Sequence, residues 1–212
     1  MTHHEGDLVV TAENARYAST LTSVGGWLEI DAEGAALPAL TSVGGALDIC
    51  AEGVALPALE RVGETLYIRA EGAALPALTS VGGALYIYAK GAALPVLTTV
   101  NGHPWADPDP AEAKALWREV FHAVEAETIG LEMGNWHAKG RCGTTHCIAG
   151  AAIHLRGEEG YALEDAYGSA STAGLALLGL DAGPIFYMGE DKAMEELRRR
   201  AAAPAESEQT AR

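Results

Sequence analysis

The chain has 212 residues, 49% of them hydrophobic and 20% charged, a balance that excludes wholesale disorder and leaves room for one large domain or two small ones. Its net charge of −15 is spread over both halves, so no basic stripe is available to hold phosphates and direct nucleic-acid binding is not expected. The same acidity suits solubility, or a surface that occupies the nucleic-acid groove of another protein.

The opening Met1-Thr2-His3-His4-Glu5-Gly6-Asp7 lacks the basic-then-apolar order of a secretory signal. No apolar run reaches the ~18 residues of a membrane span. The 3 cysteines are an odd number and make a disulfide framework unexpected. A cytoplasmic chain with no membrane partner is the expectation.

From Leu21 onward the chain repeats with a period of 19 residues. Val24, Val43, Val62, Val81 and Val100 share one register, and Leu21, Leu40, Leu59, Leu78 and Leu97 share another. Leu28, Leu47, Leu66 and Leu85 align, as do Ile30, Ile49, Ile68 and Ile87, and as do Leu37-Pro38 and its copies. A fixed period of this length marks a stacked architecture. Within a unit, Leu-x-Ile reads as a short strand with two side chains turned inward, preceded by a glycine turn and followed by an extended Leu-Pro return arm. Residues 5–20 read as a degenerate first turn in which Leu8 and Val10 stand for Leu28 and Ile30. One unit buries too few aliphatics to offset the entropy of ordering it, so the units must stack.

The pattern Leu40-x-x-Val43-x-x-x-Leu47-x-Ile49 and its copies resembles the leucine-rich repeat family and the related receptor L-domain type of solenoid over residues 21–100. That resemblance implies a parallel β-solenoid with a binding face. Two departures stand out: the unit is short for the family, and its usual Asn position holds Glu33, Glu52, Glu71 and Lys90.

The residues that vary between units are the outward strand positions. They read Trp27, Glu29, Asp31; then Ala46, Asp48, Cys50; then Thr65, Tyr67, Arg69; then Ala84, Tyr86, Tyr88. Stacked in parallel, they make a ladder acidic at one end and rich in tyrosine at the other. Tyr, Trp and Arg are the common anchors of protein interfaces, although aromatic residues also suit exposed strands for their own sake. Trp27, Glu29, Asp31, Asp48, Tyr67, Arg69, Tyr86 and Tyr88 are therefore the candidate partner-binding residues. Exposed strand edges leave homo-oligomerisation open.

Residues 101–110 break the repeat with a turn-rich linker, and Asp109-Pro110 opens a helix over 110–127. Its apolar face, Leu116, Trp117, Val120, Phe121 and Val124, needs a partner, and the open end of the solenoid near Val100 is the candidate. Further helices are expected over 146–156, 161–167, 171–179 and 190–201. Arg198, Arg199 and Arg200 close the last of these and read as a helix end that complements the dipole.

The segment Trp136-His137…Cys142-Gly143-Thr144-Thr145-His146-Cys147-Ile148-Ala149-Gly150 resembles a block found in helical domains of phage, prophage and other bacterial proteins of uncharacterised function, over about residues 103–200. Three chemical readings stay open. Cys142 or Cys147 near a helix N-terminus, with His137 or His146 as base, would make a nucleophile. His137, Cys142, His146 and Cys147 are sensible zinc ligands, with zinc then the only cofactor. Thr144 or Thr145 capping the helix, with Cys147, Ala149 and Gly150 allowing close packing, would be structural.

The expected architecture is α+β: a short parallel β-solenoid over residues 1–102, a helical capping domain over 103–203 and a disordered tail over 204–212. The expected function is non-enzymatic protein binding. The phage resemblance adds the expectation of an accessory protein that inhibits a host protein, in the manner of an anti-defence or anti-CRISPR factor. The alternative is a cysteine/histidine enzyme or a zinc protein.

Overall fold

Successive side chains of a strand point to opposite faces, so Leu-x-Ile commits two aliphatics to one side and the middle residue to the other. That is the arrangement found in the computed structural model, which describes residues 2–140 and 143–202. Cys142 and the tail expected over 204–212 lie outside the described residues. The chain is a mixture of helices and mainly parallel sheets, and its contacts divide it into two units: Met1–Ala106 with Ala166–Thr172, and Asp107–Asp165 with the chain from Ala173 onward.

In the first unit the strands, numbered in chain order, alternate between two sheets. One holds β1 (Thr2–His4), β3 (Leu21–Val24), β5 (Ser42–Val43), β7 (Arg61–Val62), β9 (Ser80–Val81), β11 (Thr99–Val100) and β12 (His103–Pro104), side by side in that order. The other holds β2 (Leu8–Val10), β4 (Leu28–Ile30), β6 (Leu47–Ile49), β8 (Leu66–Ile68) and β10 (Leu85–Ile87). All pairs are parallel except the last, where β12 turns back on β11. The register puts Leu28 beside Leu47, Leu66 and Leu85 in turn, and Ile30 beside Ile49, Ile68 and Ile87. Leu8 and Val10 pair with Leu28 and Ile30.

The sequence reading places one strand in each repeat, and the structure has two. The added one ends in Ser-Val, Arg-Val or Thr-Val before the turn and, apart from the four-residue β3, is two residues long, too short to show an alternation of its own. The Leu-Pro arm forms a third, sparser ladder: Ala36 bridges Ala55 and Ala74 bridges Ala93, while the Leu37 amide donates to the Ala55 carbonyl at 3.0 Å. Pro38 and its copies are exposed, where a missing N–H costs nothing. Inside lie the aligned aliphatics, with Leu21, Leu28, Leu40, Leu47, Leu59, Leu66 and Leu85 fully buried, each contributing roughly 1.5–3 kcal/mol. Glu33, Glu52, Glu71 and Lys90 are exposed beside glycines of positive φ, so no side chain is asked to fill the place of a buried Asn.

The glycine before each Leu-x-Ile strand has a steric cause. A Cβ on Gly44 would press into the carbonyl oxygen of Gly25, one on Gly63 into that of Gly44, and one on Gly82 into that of Gly63. The turns stack with backbone against backbone.

In the second unit, α2 (Pro110–Glu125) follows a four-residue helix α1 (Ala15–Ala18) of the first. Asp109 caps α2, its Oδ1 accepting from the amides of Ala111 and Glu112, and Pro110 sits at its first turn. The buried face Ala113, Leu116, Trp117 and Val120 is taken up by α3 (Ile148–Leu155) and α6 (Glu190–Ala202). The partner expected for that face was the end of the repeats; helices of its own unit supply one. Between α3 and α6 come α4 (Gly157–Tyr167), α5 (Ala170–Leu178) and a 3-10 segment, Leu180–Tyr187, that the sequence reading missed. Arg198 pairs with Glu125, Arg199 with Glu196, and Arg200 with Asp181 and Glu196. The Arg200 guanidinium also lies 4.8 Å from the centre of the Trp117 ring. Among the described residues no helix is long and apolar enough to cross a membrane.

The stretch expected to be a loop leading into a helix over 146–156 is a small sheet. Strand β13 (Gly130–Leu131) runs parallel to β15 (Gly143–His146), which pairs antiparallel with β14 (His137–Gly140). Helix α3 begins only after His146 has completed β15. Its cap is Cys147, whose Sγ accepts from the Gly150 amide at 3.4 Å. The cap is therefore neither Thr144 nor Thr145, because both belong to β15.

Candidate functional site

Parallel pairing in register turns the outward residues into straight rows. The central row across the five-stranded sheet is Val9, Glu29, Asp48, Tyr67, Tyr86. Beside it run Asp31, Cys50, Arg69, Tyr88 and, on the other flank, Trp27, Ala46, Thr65, Ala84. Asp31 and Arg69 are exposed, and the other ten outward positions of the four repeats are half-buried.

At the tyrosine end these side chains are ordered by one another. The rings of Tyr67 and Tyr86 stack at 5.3 Å between centres with planes 8° apart, and Tyr86 and Tyr88 follow at 6.5 Å. The Arg69 guanidinium lies 4.5 Å from the centre of the Tyr88 ring and 5.5 Å from that of Tyr67. Its Nε donates to both carboxylate oxygens of Asp48, at 3.0 and 3.1 Å. Cation–π contact and a charge-assisted bond thus fix one side chain in one place. Burial and the neighbouring Asp48 carboxylate push the Cys50 thiol up to about 11, so it stays protonated at neutral pH. Trp27, Glu29 and Asp31 occupy the acidic end of the sheet, away from the stack.

The second candidate lies in the second unit. Strands β14 and β15 bring His137 and His146 together, with Nδ1 to Nδ1 at 2.9 Å, so one of the two nitrogens carries the hydrogen and the other accepts it. The Nε2 of His137 meets Glu164 Oε2 on α4 at 2.9 Å. His154 on α3 stacks on His146 at 4.8 Å, and its Nδ1 meets the Tyr161 hydroxyl at 3.0 Å. His146 is 1% exposed, and its Nε2 has no hydrogen-bond partner among the described residues. Burial, then the neighbouring His154 and His137, lower its pKa to about 4. Glu164 and Tyr161 were missed from the sequence; both lie on α4, at spacings that no local pattern links to the histidines.

Cys147 behaves as a core residue. It is buried, it caps α3 through sulfur, and desolvation pushes its thiol up to about 11 despite the amides aimed at it. A nucleophilic cysteine needs the opposite shift. Of the four zinc candidates, His137 and His146 meet, Cys147 is committed to its cap and Cys142 lies outside the described residues. Among the described residues no group of three His, Cys, Asp or Glu side chains could hold a metal ion. Gly150 has a packing reason of its own, since a Cβ there would strike the Trp136 carbonyl.

The chain matches no family model, no curated protein and no solved structure.

Proposed function

We propose that the first unit is a short β-solenoid of leucine-rich-repeat character and that the chain is a non-enzymatic protein-binding module, with the outward face of the five-stranded sheet as its docking surface. The observation that carries this reading is the stack of Tyr67, Tyr86 and Tyr88 with Arg69 clamped over it by Asp48. Rigid aromatic and arginine anchors give up little rotamer entropy on binding, which is what raises affinity per unit of area. The acidic end of the same sheet, Glu29 and Asp31, complements a basic surface.

The resemblance of residues 103–200 to phage and prophage proteins supports a narrower version. In it the partner is a host protein with a basic groove, and capture inhibits that protein, as an anti-defence factor does. The test is affinity capture from a bacterial lysate with the native chain and with a Tyr67→Ala, Tyr86→Ala, Tyr88→Ala variant. The partner enriched by the native chain is expected to be lost by the variant, while circular dichroism and melting temperature stay close to native. A partner recovered equally by both rules out this face.

A further inference from the structure

We infer that the second unit carries a site for an alkylated ammonium group, quaternary or methylated, in the cavity between the turn at Met133–Trp136 and the segment that leads into α6. The cavity has a volume of about 630 Å³, and its wall includes Met133, Asn135, Trp136, Tyr187, Met188 and Glu190. Phe186 closes its floor, being 2% exposed, whereas Tyr187 is 38% exposed.

The walls have the geometry that such a group needs. The Trp136 indole stands at 81° to the Phe186 ring and at 83° to the Tyr187 ring, with centres 6.4 and 6.1 Å apart. A cation set in the corner between perpendicular rings meets the negative face of one while staying against the others. Two methionine thioethers add polarizable surface that tolerates a bulky methylated head.

Charge decides which ligand the corner takes. Among the described residues no Lys, Arg or His lines the cavity, and Glu190 is the one charged residue that does. The first turn of α6 would by itself favour an anion, but Glu190 and Asp191 already occupy that turn. The chain as a whole carries −15. An anion would therefore be repelled, and a neutral apolar ligand would pack on the rings but draw nothing from their quadrupoles or from Glu190. The site owes nothing to the tyrosine ladder and stands or falls without it.

The experiment compares choline with 3,3-dimethylbutan-1-ol, its uncharged carbon analogue, by calorimetry and by the Trp136 indole N–H resonance, assigned through Trp136→Phe. Choline is expected to bind roughly tenfold more tightly than the alcohol and to move that resonance. Glu190→Gln, at an exposed helix end, is expected to weaken choline severalfold and leave the alcohol unchanged. A peptide with trimethyllysine, run beside its unmodified lysine form, separates the two sources of the group. Binding of the methylated peptide tenfold or more above choline identifies a protein side chain, and comparable or weaker binding identifies a free amine. Equal affinity for choline and the alcohol, or an unmoved Trp136 resonance at tens of millimolar choline, overturns the inference.

Discussion

The imidazole of His146 lies against His137 from β14, His154 from α3 and the backbone of Trp136, with Tyr161 and Glu164 from α4 beyond the two histidines. A proton placed on it would lose its water and sit beside two further rings able to carry charge. Its pKa in the folded chain is accordingly about 4, against 6.5 for a free histidine. The unfolded chain therefore takes up this proton below about pH 6.5, and the folded chain does so only near pH 4. Stability should be flat above that window and fall as the pH drops through it, by up to ~3 kcal/mol from this group. Urea denaturation of the native chain and of His146→Asn across the window checks this. The native chain should show the steeper decline, and identical slopes would remove His146 from the account. At this scale the site was half legible: His137 and His146 stood out as chemically suggestive types, but the reason they matter to each other is a strand pairing.

Among elements, the edges of the five-stranded sheet show how the stack is ended. A bare edge invites further strands. At one end the Asn14 side chain donates to the Val9 carbonyl at 2.8 Å and accepts from the Thr11 amide at 2.9 Å. At the other, the Thr172 hydroxyl accepts from the Leu85 amide at 2.9 Å and donates to the Leu85 carbonyl at 3.1 Å. A single side chain thus answers both backbone groups of one edge residue, as a neighbouring strand would. Thr172→Val keeps the shape and removes both bonds, leaving a buried amide and carbonyl unpaired. It should cost about 1–3 kcal/mol, read by thermal or urea denaturation, and a variant of native stability would show the edge to be satisfied some other way. In the sequence Thr172 reads as one more small residue of a helix. The Leu-x-Ile strands were legible because burial on one face imposes a period of two. The two-residue strands, the pairing of β14 with β15 and the 3-10 segment were not, being too short, built from polar threonines, or interrupted by Pro184.

At the scale of the whole molecule, near-identical units in register mean that the stability of the first unit is approximately a sum over repeats and their contacts. Excising residues 44–62 joins Val43 to Gly63 and removes one full period. The shortened chain should fold with the same strand signature and a lower urea midpoint. Excising 44–57, which breaks the period, should abolish cooperative unfolding of that unit. If both deletions behave alike in denaturation followed by circular dichroism, the repeats are not interchangeable parts.

The glycine column that stacks carbonyl on empty Cα bears on how such a chain can change over time. Hydrogen-bonded strands set the pitch between units at about 4.8 Å, and the glycines, having no Cβ, let the turns follow at that same spacing. Mutation should thereby be steered: change is expected to be easier at the outward positions than along the column, and between Leu21 and Val100 length changes should be easiest as whole units. The outward surface can thus be rewritten residue by residue while the spacing of its letters stays constant.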